Sequence, residues 1–129
     1  MISFEDFKLR DGIPVYLQIL EHIKQGIVAR DVTDGDELPS RRVLSALLGL
    51  NPNTVQKAYR ILEDEGLIES RAGAKSYIRL DGEKLGRVRG ELVARTALDA
   101  VDSFKRMGLS REEAVSLLEK YWLTKEEKI

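Results

Sequence analysis

The sequence predicts a mainly α chain with one small β-hairpin, and three observations carry that expectation. Apolar residues recur at helical spacing in five segments, and the pattern shortens to strand-like runs only between Leu67 and Leu80. Helix signals stand at fixed points: Ser40 before and Gly49 after one segment, Asn51-Pro52 before and Gly66 after the next, Gly108 and Ser110 between the last two. Finally, 129 residues with 43% hydrophobic and 33% charged side chains suit one domain with a small appendage. We place the domain at residues 1–80 and the appendage at 81–129.

Residues 1–12 carry Phe4, Phe7 and Leu9 among charges and are too short to fold alone. They are expected to lie over the first helix, which begins near Pro14 and buries Leu17, Leu20, Ile23, Ile27 and Val28. Asp34-Gly35-Asp36 centres a turn, after which Leu38-Pro39 runs extended, because the residue before proline disfavours the helical region. The second helix is short, from the cap at Ser40 to the stop at Gly49. The third restarts at once, with proline at the first helical position, where its missing N–H costs nothing.

In the third helix Val55, Tyr59 and Leu62 follow i, i+4, i+7 and form the buried stripe. Asn53, Gln56, Lys57 and Arg60 then point away from the core. All four donate hydrogen bonds, while Glu63, Asp64 and Glu65 wait until the last turn. Carboxylates there oppose the helix dipole, so local stability does not explain them. Keeping negative charge off the front half suits an approach to phosphates. After Gly66, Leu67 to Arg71 and Tyr77 to Leu80 read as paired strands around the turn Ala72-Gly73-Ala74-Lys75. Three helices and a hairpin make a winged helix-turn-helix, with the third helix in the major groove and a wing made basic by Arg71 and Lys75.

The appendage reads as two helices. Glu83 to Met107 presents Val93, Ala97, Val101 and Phe104 on one face, led by Leu85, Val88 and Leu92. Ser110-Arg111-Glu112-Glu113 is a capping box, with Leu109 placed to staple onto Ala114. The helix it opens carries Ala114, Leu117, Leu118, Tyr121 and Trp122 before the charged tail Lys125 to Lys128. Two such helices cannot hide that much apolar surface on each other. The reading is a dimerisation extension using Val93, Ala97, Val101, Phe104, Leu117, Leu118, Tyr121 and Trp122; the alternative is that these helices fold back on the winged helix of the same chain.

Composition narrows the function. The net charge of −1 argues against a nonspecific polycation, so DNA binding must rest on a local patch. Only residues 37–80, with 7 basic and 5 acidic side chains, are net basic. No apolar run approaches the ~18 residues of a membrane span, the N-terminus does not resemble a signal peptide, and there is no cysteine. A cytoplasmic protein is expected. The single histidine, His22, has no metal or catalytic companion, and the carboxylate clusters at helix ends read as solvation and capping. Neither an enzyme nor a cofactor is expected.

From Leu38 to Leu80 the sequence resembles the GntR family of bacterial transcription regulators. The resemblance lies in Leu38-Pro39-Ser40-Arg41-Arg42, Leu50-Asn51-Pro52-Asn53-Thr54-Val55-Gln56-Lys57-Ala58-Tyr59, Leu62-Glu63-Asp64-Glu65-Gly66-Leu67-Ile68 and Gly73. Upstream, Pro14-Val15-Tyr16-Leu17-Gln18-Ile19 is similar to the family's first helix. The resemblance implies that Arg42 contacts DNA, that Arg41, Asn51, Asn53, Thr54 and Gln56 meet phosphates or base edges, and that Gly73 forms the wing tip. Lys57, Arg60 and Lys75 complete the expected DNA-binding set. Lys75 stands where the family's wing usually has a second glycine, which adds charge and restricts the turn if positive φ is required.

Only 49 residues follow Leu80, too few for the family's larger sensing domains, so the chain most resembles the YtrA-type subfamily. That implies a homodimeric, sequence-specific DNA-binding regulator, a repressor on an inverted-repeat operator, associated with the nucleoid when bound and open to an unidentified small-molecule effector. A winged-helix module that binds protein instead of DNA is the alternative.

Overall fold

The computed structural model describes residues 2–71 and 75–127. Its elements are α1 (Val15–Val28), β1 (Glu37–Leu38), α2 (Arg41–Leu48), α3 (Pro52–Asp64), β2 (Ile68–Arg71), β3 (Lys75–Ile78), α4 (Gly82–Arg106) and α5 (Arg111–Glu127). The chain is mainly α, as its periodicity predicts. The sheet, however, has three antiparallel strands in the order β1-β3-β2, one more than the hairpin. Two-residue β1 pairs Glu37 with Tyr77 and Leu38 with Ser76, and is too short to carry a period. The Asp34-Gly35-Asp36 turn straps it down: Gly35 N–H donates to Ile78 O at 2.8 Å, and Ile78 N–H returns to Asp36 O at 2.8 Å.

The helix boundaries follow the capping residues. Ser40 Oγ accepts from Val43 N–H at 3.1 Å, and Gly49 closes α2 in the left-handed region at φ 66°. Asn51 Oδ1 accepts from Asn53 N–H at 2.9 Å to open α3. At its end Gly66 turns at φ 75°, and Leu67 N–H reaches back to Leu62 O at 2.9 Å.

Val55, Tyr59 and Leu62 are fully buried, with Ala58 beside them, against a core that includes Ile19, Ile23, Ile27, Leu38, Leu44, Leu67 and Ile78. Each large aliphatic side chain buried this way contributes roughly 1.5–3 kcal/mol. In α1 the inward positions are Gln18, Ile19, Leu20, Ile23 and Ile27, while Leu17, expected in the stripe, is exposed. Gln18 takes the inward place because its amide docks the preceding segment. Its Nε2 donates to Arg10 O at 2.9 Å and Ile13 O at 2.8 Å, and its Oε1 accepts from Arg10 N–H at 2.8 Å. The N-terminal segment does lie over α1, with Ile2 and Phe4 buried and the His22 ring 4.7 Å from Phe4 and 5.2 Å from Phe7. His22 Nε2, 2.7 Å from Ser3 O, carries the proton, since a carbonyl can only accept.

The chain divides into compact units Met1–Leu92 and Val93–Ile129. Leu85, Val88 and Leu92, at i, i+3 and i+7 of α4, pack on the winged core, so that turn of helix belongs with it. In the second unit Gly108 ends α4 at φ 78°, and the capping box forms reciprocally. Glu113 N–H donates to Ser110 Oγ at 3.2 Å, and Ser110 N–H to Glu113 Oε1 at 3.1 Å.

Candidate nucleic-acid interface

The front of α3 is polar because its back is the core. Asn51, Asn53, Lys57 and Arg60 are exposed, while Thr54 and Gln56 are half-buried at the edge of the stripe. Thr54 N–H is held by Asn51 O at 2.9 Å, which fixes the turn into the helix. Lys57 Nζ stands 4.0 Å above the Tyr16 ring of α1, a cation–π contact that places its charge beside the front. In α2, which packs on α3, Arg42 is exposed and Arg41 turns inward, its Nη2 donating to Glu63 Oε1 at 2.6 Å.

The wing carries its cations differently. Arg71 lies 4.6 Å over the Tyr77 ring and 3.8 Å from Glu69, and Lys75 Nζ stands 3.7 Å from Glu37. Both remain at least half-exposed, so these weak pairs orient the side chains without sequestering them. Among the described residues Arg30 is the one non-glycine with positive φ, so Lys75 accepts its position without strain. Gly73 and the turn at 72–74 lie outside the described residues, as does the tail residue Lys128.

The acidic end of α3 gains its explanation from tertiary contacts that no local pattern shows. Glu63 Oε1 accepts from both Arg41 and Ser70 Oγ, the latter at 2.6 Å, and Glu65 pairs with Lys24 of α1 at 2.9 Å. Two cations of α4 cover the same helix end: Lys84 Nζ donates to Gly66 O at 2.6 Å and Arg87 Nη2 to Glu65 O at 3.0 Å. They offset the dipole penalty that these carboxylates incur. No local pattern in the sequence points to Lys24, Ser70, Lys84 or Arg87; the one signal for them is the unexplained acidity itself.

Tyr59 joins this region to the approach to α2. Its hydroxyl donates to Pro39 O at 2.6 Å, and burial pushes its ionisation well above the ordinary value, with the nearby Arg41 partly opposing. It is a permanent donor at any physiological pH. Among the described residues no group of three or more His, Cys, Asp or Glu side chains could hold a metal ion, and no helix is long and apolar enough to cross a membrane.

The model of the bacterial regulatory proteins of the gntR family matches residues 15–78. The uncharacterized HTH-type transcriptional regulator YhcF of Bacillus subtilis is 32% identical over 108 residues, 84% of this chain and 89% of that protein. The chain belongs to the GntR family. The HTH-type transcriptional repressor YtrA of the same organism is 44% identical over 69 residues, about half of each chain at 54% and 53%. A GntR family transcriptional regulator from Listeria monocytogenes superposes with a TM-score of 0.76 at 27% identity, covering 87% of this chain and 98% of that one. This GntR chain is therefore a DNA-binding transcriptional regulator, and the family match spans α1 through β3, the whole winged helix-turn-helix.

In the second GntR unit, α4 and α5 leave a groove of about 490 Å³ lined chiefly by Ala97, Val101, Phe104, Leu109, Val115 and Leu118. Val93, Ala97, Val101, Leu117, Leu118, Tyr121 and Trp122 are exposed in the single chain, and Phe104 is half-buried. The exposed apolar surface of α5 extends beyond Leu117, Leu118, Tyr121 and Trp122 to Val115 and Leu123.

Proposed function

We propose that this GntR regulator is a cytoplasmic homodimeric repressor that reads an inverted-repeat operator and acts by occluding a promoter. The observation that carries the reading is the exposed front of α3 beside Arg42, free of acidic residues from Pro52 to Leu62, with Glu63 and Glu65 drawn away to the rear. Arg42 would grip phosphate or guanine bidentately, Asn53 and Gln56 would pair with adenine edges, and Asn51, Thr54, Lys57 and Arg60 would contact phosphates. Lys75 and Gly73 would bring the wing to the flanking backbone. The name of one relative, a transcriptional repressor, supports the sign of regulation.

Dimerisation would use Val93, Ala97, Val101, Phe104, Leu117, Leu118, Tyr121 and Trp122; the exposure in one chain of all of them but the half-buried Phe104 supports a second copy over burial within it. A two-fold dimer would set the recognition helices one DNA turn apart, ~34–36 Å, and so select inverted half-sites. On this reading the chain has no catalytic role and needs no cofactor, and a small-molecule effector would act through the dimer interface or a small pocket near Trp122.

The test is selection of duplexes from a random-sequence library by the full-length protein, then binding across a salt series for wild type and Arg42→Ala. An enriched inverted repeat, bound with steep salt dependence that Arg42→Ala, acting in both protomers, lowers by about 1.8 in slope, supports the reading. If no duplex is enriched even at low salt, the protein-interaction module replaces it.

A further inference from the structure

Arg41 leads α2 beside the exposed Arg42, yet it is only 24% exposed and faces a Glu63 that is 35% exposed. Its guanidinium lies 5.2 Å from the centre of the Tyr59 ring, and its Nε is buried with no acceptor among the described residues. A guanidinium grips phosphate or guanine bidentately either end-on, through both Nη atoms, or side-on, through Nε and Nη2. The side-on mode is closed because Nε is buried, and Glu63 takes one of the two N–H groups on the Nη2 that the end-on mode needs. The same carboxylate oxygen accepts from Ser70 Oγ of β2. One atom thus joins the first turn of α2, the last turn of α3 and the first strand of the wing.

We propose that Arg41 and Glu63 are positioning residues of the DNA interface: Arg41 touches no DNA, and the pair sets the attitude of the wing relative to the recognition helix. This rests on the DNA-binding mode proposed above and replaces the expectation that Arg41 meets DNA. A hairpin of two four-residue strands has little stiffness of its own, so the direction in which it carries Arg71 and Lys75 depends on where it is fastened to helices. Glu63 is such a fastening, and breaking it loosens the wing's contacts while sparing those of α3.

The experiment uses the full-length protein and the duplex that the wild type enriches from a random-sequence library, with urea unfolding as a check that each variant folds. Arg41→Glu places like charges together and is expected to weaken binding by about tenfold. The exchanged pair Arg41→Glu/Glu63→Arg restores binding to within about twofold of wild type. Arg41→Ala leaves the salt slope unchanged, whereas Arg42→Ala, which removes one phosphate contact from each protomer of the proposed dimer, lowers it by about 1.8. On a duplex trimmed of the base pairs flanking the α3 site, wild type and Arg41→Ala bind alike, a result that general destabilisation would not give. The inference is overturned if the exchanged pair binds no better than Arg41→Glu, or if Arg41→Ala costs the same slope as Arg42→Ala. Failure of the wild type to enrich any duplex overturns the binding reading itself, a different outcome from either.

Discussion

Replacing Tyr59 with phenylalanine isolates one hydrogen bond. The ring is fully buried, and phenylalanine keeps its shape, its packing and its face toward Arg41. Only the hydroxyl is lost, together with its 2.6 Å bond to Pro39 O, the carbonyl that precedes the cap of α2. A hydrogen bond of this kind contributes about 1 kcal/mol net, and an acceptor left without a partner in a part-buried place adds a desolvation cost, so we expect a loss of about 2 kcal/mol. Urea unfolding at fixed protein concentration should show it as a midpoint shift on the order of 1 M with an unchanged slope. The pH dependence supplies a second readout. The folded hydroxyl ionises well above the ordinary tyrosine value near 10 because it is buried, so its contribution is fully present below pH 10. Above pH 10 the unfolded chain releases the proton first, and stability falls as pH rises toward the folded value. The gap between wild type and Tyr59→Phe should therefore be constant from pH 7 to 9 and narrow above 10. Equal midpoints at pH 7, or a gap that stays constant above pH 10, would refute the reasoning.

Three further outcomes are expected. Ser110→Ala removes the acceptor of the capping box and should destabilise α5 by about 1 kcal/mol, read as a lower thermal midpoint by circular dichroism. The backbone N–H of Thr33, 2.9 Å from the Asp36 carboxylate, holds that carboxyl below its ordinary value. Its contribution is present above the unfolded value near 4 and lost as pH falls through the lower folded one, so Asp36→Asn should flatten the acid limb of the stability curve. If the chain dimerises as proposed, Leu118→Glu, which puts a charge into the 490 Å³ groove, shifts sedimentation from dimer to monomer and weakens operator binding with it; an unchanged sedimentation coefficient would count against α5 as the interface.

The helices were legible because their signals are local. Ser40, Asn51, Ser110, Gly49, Gly66 and Gly108 each act within a few residues of where they stand, and the stripe through Val55, Tyr59 and Leu62 needs only the helical period. β1 was not legible, since two residues show no alternation and its partner, β3, lies some forty residues away. Leu17 was misread for a related reason. Periodicity ranks residues by apolarity, and it cannot foresee that the amide of Gln18 will find three backbone partners in the segment before the helix. In the candidate interface, Asn53, Lys57 and Arg60 were legible as outward positions, and Arg41 was not. Two adjacent arginines look alike in sequence, and only the arrival of Glu63 from the far end of α3 separates an outward side chain from an inward one.

The fastening of α3 at its acidic end has a bearing on how such a protein changes its target. Glu63 and Glu65 are tied to α2, β2 and α1, and the closing turn is covered from α4, so the acidic end of the helix is fastened away from the edge proposed to read DNA. Arg42 and Asn53, the exposed residues proposed to meet base edges, are solvent-facing and lie outside the buried core. A lineage can rewrite those letters while the domain keeps its stability, and a duplicated copy can acquire a new operator in single steps without first passing through an unfolded ancestor.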